Sequence, residues 1–241
     1  MSDERGFYVG YLEAPVAHAR FVKRAILVLM WLCVVGAGVS AWAMRHPGEA
    51  VWDTSTPRMF EGVLRESPYP MLETEEGAYL IVRIGKFGAQ DRVAGLADRW
   101  VRLEGYLLER DGRRMIELLD DAGAIEEVSG IPADSEDRQD FGEVLLRGEI
   151  VDSKCYLGAM KPGDGKGHKP CAALCVGNGI PPMLVVHHEG GGKDYYIVVT
   201  DAFGAANEMV EPYLGDAVEV RGVVAERGGV RFVRALGIER R

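Results

Sequence analysis

No stretch of this 241-residue chain carries a G-x-x-x-x-G-K-[ST] phosphate loop, a G-x-G-x-x-G dinucleotide turn or a G-x-S-x-G nucleophile elbow. Phosphate-loop, dinucleotide and triad chemistry therefore have no footing in it. C-x-x-C is missing too, which argues against common zinc ribbons and, with no C-x-x-C-H, against covalently attached haem. Basic charge is in short supply. Lysine and arginine total 28 against 37 acidic residues, a formal charge of −9. Nucleic acid would want a basic face, so no nucleic-acid partner is expected, and broad attraction to anionic lipid is equally disfavoured. An oligonucleotide in a barrel mouth would also need aromatic and basic side chains together, a pattern not seen here. The many carboxylates read as solvated faces, and no catalytic residue is assigned.

Charge is absent altogether from Ala25 to Met44 (AILVLMWLCVVGAGVSAWAM). Twenty residues at about 1.5 Å each span the ~30 Å core of a bilayer. Arg20, Lys23 and Arg24 precede the run and only Arg45 follows closely. The positive-inside rule then places residues 1–24 in the cytoplasm and the remainder outside it, on the periplasmic face of an inner membrane. Trp31 and Trp42 are suited to the interfaces, and Cys33 to packing within the span. A cleaved signal peptide is the alternative, with Ala41-Trp42-Ala43 resembling a cleavage site. Its apolar region would run only about 7–15 residues, so an uncleaved anchor is expected. The leader GFYVGYLEAPVAHARF, with Tyr8, Tyr11 and His18, is either an interfacial tail or a docking element for a membrane partner. His46 falls at the membrane surface.

Residues 45–57 read as a linker, and two related units follow, 58–128 and 143–241, joined by an acidic linker at 129–142. Gly62 and Ser67 of the first unit match Gly148 and Ser153 of the second at an offset of 86. Tyr79-Leu80-Ile81-Val82 matches Tyr196-Ile197-Val198-Val199, and Val101-Arg102-Leu103-Glu104-Gly105 matches Val218-Glu219-Val220-Arg221-Gly222, both at an offset of 117. Such self-similarity points to a duplicated fold. Alternating apolar and charged residues in the second pair of segments read as half-buried strands. Asp111-Gly112 and Gly228-Gly229 read as two-residue hairpin turns needing positive φ. About five short strands per unit predict a mainly β protein: tandem OB-like small β-barrels after a single transmembrane helix. A β-sandwich is the alternative. Gly62, Gly105, Gly148 and Gly222 belong where strands bend. Phe203 to Leu214 reads as a short helix between strands.

The change of offset means 31 extra residues near the start of the second unit. They hold the pattern Cys155-x12-His168-x2-Cys171-x3-Cys175, three of the four cysteines of the chain; the first unit has neither cysteine nor histidine. The second unit therefore reads as the site-bearing barrel and the first as scaffold or docking module. His168-Lys169-Pro170-Cys171 reads as a helix start, which puts Cys171 and Cys175 on one face. The residues Val151, Asp152, Lys154, Cys155, Tyr156, His168, Cys171, Ala172, Cys175, Gly179, Pro181 and Leu184, and then Val218, Val220, Gly222, Glu226, Arg227, Gly229, Ile238 and Glu239, carry a resemblance. Over about 146–239 the chain resembles small secreted bacterial OB-like domains bearing a KCY…H..CA..C motif, a family without an assigned activity. The anchor-plus-barrel layout also resembles the periplasmic haem chaperone of cytochrome c maturation, but the histidine which that family uses after the barrel is missing from Leu236–Arg241.

Two readings of the cysteines remain open. As metal ligands, Cys155, His168, Cys171 and Cys175 form a Cys₃His set suited to zinc, copper or iron. As an exported staple, Cys155 pairs with Cys171 or Cys175 and leaves one odd thiol. Lys154, Lys161, Lys166 and Lys169 would lower thiolate pKa values. His187 and His188 are near enough in sequence to reach the site, but read better as a solvated turn. The expected function is a membrane-anchored accessory protein with a Cys/His site for metal binding or thiol redox, serving a respiratory or metal-delivery system. The alternative is an interaction subunit of a membrane complex.

Overall fold

The computed structural model describes residues 15–43, 50–130 and 138–241. They divide into two units, with the boundary after Pro47. The first unit is the helix α1, Val16–Ala43. Pro15 stands just ahead of it and accepts the Ala19 amide at 2.9 Å, a place where a missing N–H costs nothing. The stretch Val16–Trp42 is long and apolar enough to cross a bilayer. The helix begins nine residues before the charge-free run, because Ala17, Ala19, Arg20 and Lys23 are good helix formers. The expected roles of Tyr8, Tyr11 and His46 fall outside the described residues.

The second unit is mainly β. Its first barrel uses β1 (Val51–Arg65), β2 (Met71–Thr74), β3 (Gly77–Arg83), the short helix α2 (Gln90–Val93), β4 (Trp100–Arg110) and β5 (Arg113–Leu118). Strand order is β1-β2-β3-β5-β4, and β4 pairs back onto β1 to close it; β6 (Ile125–Glu127) extends β4. Only β3 and β5 run parallel. The second barrel repeats this plan with β7 (Gln139–Asp152), β8 (Pro182–His187), β9 (Lys193–Thr200), α4 (Asn207–Val210), β10 (Ala217–Arg227) and β11 (Val230–Arg240). It too is closed, with β9 and β11 as its parallel pair. Between β7 and β8 lie a wide turn, Cys155–Ala159, and the helix α3, Lys169–Gly177. These are the extra residues of the second copy. Tandem OB-like barrels are thus the architecture.

The duplication holds in detail. Helices α2 and α4 start at Gln90 and Asn207, and the isolated bridges Val82–Gly88 and Val199–Ala205 are their companions, all at the 117 offset. Asp111, Gly112, Gly228 and Gly229 all have positive φ, as the hairpin turns require. A Cβ on Gly62 or Gly148 would lie 2.2 Å from the carbonyl oxygen of Glu73 or Val185, so both glycines permit the first strand to cross the second closely.

Three expectations are corrected. Residues 51–57 are not linker but the outer half of β1, paired with β4 through Trp52 and Leu108. Val51, Trp52, Thr54 and Thr56 favour strand, and a register break between Asp53 and Arg58 accommodates Pro57. Residues 139–142, also read as linker, begin β7. The helix expected over 203–214 is confined to Asn207–Val210 and a following 3₁₀ turn, Glu211–Tyr213.

Each barrel has its own core. Leu64, Leu72, Ile81, Val101, Leu103 and Ile116 fill the first. Ile150, Leu184, Val198, Val218, Val220 and Val233 fill the second. A third cluster is shared between them, in which Met71, Leu80, Val82 and Met115 meet Met183, Ile197, Val199 and Phe232. Leu80, Val82 and Met115 are the 117-offset counterparts of Ile197, Val199 and Phe232. The contact is therefore made by the same face of both barrels, as in a two-fold dimer fused into one chain. Ala78 N donates to Gly228 O at 2.9 Å, and the equivalent Tyr195 hydroxyl donates to Asp111. Each large apolar side chain contributes about 1.5–3 kcal/mol on leaving water, so the seam outweighs any single ion pair within it.

One buried ion pair does cross the seam. Lys154 Nζ donates to the carbonyls of Arg83 (2.7 Å) and Gly85 (2.6 Å) and to Glu117. Glu117 also accepts from Trp52 Nε1 at 2.9 Å. Both charged side chains are only 3% exposed. Removing one partner strands a charge, whereas removing both does not. We therefore expect Lys154→Met to lower the unfolding free energy by about 3–5 kcal/mol. Addition of Glu117→Leu should recover most of that loss in urea unfolding of the detergent-solubilised chain. A single variant as stable as the wild type would show that the clamp is not a structural element.

Candidate metal centre

Strand β7 ends on Asp152, and the chain turns at once into the cysteine segment. The turn is fixed by Asp152 Oδ1, which accepts the Cys155 amide at 2.8 Å. The other carboxylate oxygen stands 2.9 Å from His168 Nε2. One fully buried side chain therefore sets both the first cysteine and the histidine. His168 caps α3, and Pro170 lies in its first turn, where its ring suits the helix start. Cys171 and Cys175 then follow on one helical face, four residues apart.

The cysteine sulfurs converge. Cys155 Sγ lies 3.9 Å from Cys171 Sγ and 4.0 Å from Cys175 Sγ. All are free thiols. A disulfide would need about 2.05 Å. Two thiolates on one tetrahedral zinc, each with a bond of about 2.3 Å, stand about 3.8 Å apart. The observed spacings match that edge. Ligand atoms of Cys155, His168 and Cys171 lie within 4.8 Å of one another, as do those of Asp152, Cys155 and Cys175. The four expected residues thus fall into two overlapping triads that share Cys155, with His168 and Cys171 in one and Cys175 in the other. Metal-bound histidine commonly turns its second nitrogen to a carboxylate, the arrangement His168 makes with Asp152. The residues present therefore fit a metal ion.

Burial is uneven. Cys155 (4%), Cys175 (1%) and His168 (7%) are buried, while Cys171 is half-exposed. Cys155 and Cys175 belong to the cluster shared by the two barrels, so the site sits against the seam. The first barrel also contributes a side chain. Lys86, on the loop after β3, places Nζ 2.6 Å from Cys171 Sγ and 3.9 Å from Cys175 Sγ. The expectation that the first unit is only scaffold or docking module is corrected accordingly.

Charge in the cluster is polarised. The Cys155 thiol is pushed well above its ordinary range, first by the hydrogen bond it shares with Cys175, then by burial and by the negative charge of Asp152. Cys175 is lowered, chiefly by that same bond from Cys155 and with help from Lys86, against the effect of burial. Lys86 is raised, mainly by its bond to Cys171. The cluster thus holds the proton on Cys155 and eases ionisation of Cys175.

Sequence reasoning missed Asp152 as a site residue, although it stands inside the VDxKCY pattern. It also missed Lys86, which has no local signal because it comes from the other barrel. Lys154 had been expected beside the thiols; its ammonium instead clamps Glu117 and two carbonyls across the seam. Lys169 pairs with Asp216 at 2.7 Å. His187 is exposed, and His188 pairs with Asp194 at 2.8 Å on the surface; neither is in the metal-ligand groups.

No family model and no curated protein matches the chain. Among solved structures, a deletion mutant of the single-stranded DNA binding protein from Thermus aquaticus is similar at 14% identity. The match covers 80% of this chain and 95% of that one, with a TM-score of 0.24.

The polarised pair has a pH signature. Cys175 is lowered on folding, so its contribution to stability is full above the ordinary value of 9.0 and is lost as pH falls through its folded value. Cys155 is raised, so its contribution is present below 9.0 and is lost only as pH climbs towards its folded value. Thiolate ultraviolet absorbance of the metal-free chain should show one sulfur ionising below the free-cysteine value of about 8.5. Cys175→Ser should abolish that step. Titration of every sulfur at the free-cysteine value would remove the charge assignment.

Proposed function

We propose that this chain is a membrane-anchored protein whose second barrel holds a transition-metal ion on Cys155, Cys171 and Cys175, with His168 completing the ligand set and Asp152 orienting His168 and Cys155 from behind. The observation that carries the reading is the sulfur spacing, 3.9 and 4.0 Å, which suits thiolates on one metal and leaves the sulfurs unbonded to each other. Thiolates with imidazole favour zinc or copper(I). The resemblance to secreted KCY…H..CA..C domains agrees with placement of the barrels outside the cytoplasm. So does the basic N-terminal end of α1, with Arg20, Lys23 and Arg24 ahead of the charge-free run. In this reading α1 is an uncleaved anchor, and the protein is an accessory to a membrane respiratory or metal-delivery system.

The full chain, extracted from membranes in detergent without reductant, should show one bound metal ion per chain by native mass spectrometry. Cys155→Ser, which removes the sulfur common to both triads, should abolish binding. A mass short by two hydrogens with no metal would overturn the metal reading in favour of a stapled loop and an interaction role. The anchor is checked separately: the chain should stay with the membrane through high-salt and alkaline washes.

A further inference from the structure

A closed structural metal site has no use for a cation already bonded to its sulfurs. Here Lys86 Nζ lies 2.6 Å from Cys171 Sγ and 3.9 Å from Cys175 Sγ, on the same sulfurs that a metal would take. An ammonium is a compact charge with three donors and no acceptor, so it competes for thiolate lone pairs and cannot bridge to the metal. We propose that Lys86 is a resident counter-cation, seated on the Cys171 and Cys175 sulfurs when the metal is out and expelled when it is in, so that the site carries its ion reversibly. This deepens the metal reading above and rests on it.

Three features support the assignment. First, the fold does not require lysine at this position. The equivalent residue of the second barrel is Phe203, which packs on Phe232 with ring centroids 5.2 Å apart. Second, the backbone of the loop is anchored on both sides of Lys86. Lys154 holds the carbonyls of Arg83 and Gly85, and Gly88 N donates to Asn178 O at 2.9 Å. The four-carbon stem of Lys86 lies between these fixed points. Third, Lys86 sits on the open side. Cys171 is the half-exposed sulfur, and Ile84 (39% exposed) and Phe87 (47%) flank the lysine at the surface. An ion would enter and leave past Cys171.

With Zn²⁺ bound, the Lys86–sulfur contacts would break and the ammonium would return to water. Zinc–sulfur bonds would form, and every proton still held on Cys155, Cys171 or Cys175 would pass to solvent. Loss of the ion reverses each step without any change of oxidation state.

The test is zinc titration of the full-length protein in detergent, in competition with a chromophoric chelator. Lys86→Gln and Lys86→Met remove the competitor, a charged hydrogen bond strong enough to predict binding at least about tenfold tighter than wild type. Release to excess chelator should slow in parallel, and Lys86→Arg should keep the competition. If both neutral variants bind zinc no more tightly than wild type, while wild type binds and Cys155→Ser does not, the counter-cation proposal is overturned and the metal reading stands. If wild type takes up no zinc, or Cys155→Ser takes up as much as wild type, both fall.

Discussion

The burial of one strand face from each barrel against the other is the constraint on which the structure depends. An OB-like barrel alone presents β2, β3 and β5 with one face inward and one outward. Here the outward face, Met71, Leu80, Val82 and Met115, is covered by its counterpart in the second copy. Strands buried on both sides lose the alternation of a half-solvated strand and read as continuous apolar runs. Tyr79-Leu80-Ile81-Val82 and Tyr196-Ile197-Val198-Val199 are such runs. The duplication and the interface are thus one fact: the same face was repeated, and it pairs with itself.

The thiol cluster inherits its position from this seam. Cys155 and Cys175 are buried among the shared apolar residues, close enough to the first barrel for Lys86 to reach them. Thiolates out of water need compensating positive charge, because an isolated buried anion is far costlier than a paired one. The cysteine segment is rich in lysine, yet Lys154 is engaged with Glu117 and Lys169 with Asp216. The compensating cation at Cys171 and Cys175 comes instead from the other barrel. Charge balance at the site therefore depends on apolar packing elsewhere, which is why neither barrel can be understood alone.

The fold was largely legible in the amino-acid order because its signals are local or periodic. Asp111-Gly112 and Gly228-Gly229 announce hairpins through the backbone freedom they supply. The 117-residue offset follows from repeated apolar patterns, and the change of offset locates the insertion. Cys155, His168, Cys171 and Cys175 stood out because few residue types bind metal and all four lie within one short segment. What escaped was non-local. Lys86 is one surface-like lysine among 28 basic residues until the seam brings it to the sulfurs. Residues 51–57 passed for linker because Asp53, Ser55 and Pro57 dilute the strand signal, and only pairing with β4 reveals it.

Asp152 shows why a ligand count undersells this site. Its carboxylate is fully buried and takes one bond from the Cys155 amide and one contact from His168. It therefore orients a ligand from the strand end and a ligand from the helix cap with a single group, and its negative charge helps to hold the proton on Cys155. A metal bound at Cys155 would displace that proton, its positive charge reversing the local electrostatics. Asp152 thus works against ionisation of Cys155 in the empty site while preserving the geometry that the filled site needs. Lys86 acts on the opposite side of the same balance, favouring charge on Cys175. The empty cluster consequently keeps the proton on Cys155 and favours ionisation at Cys175, with the ligand directions already set.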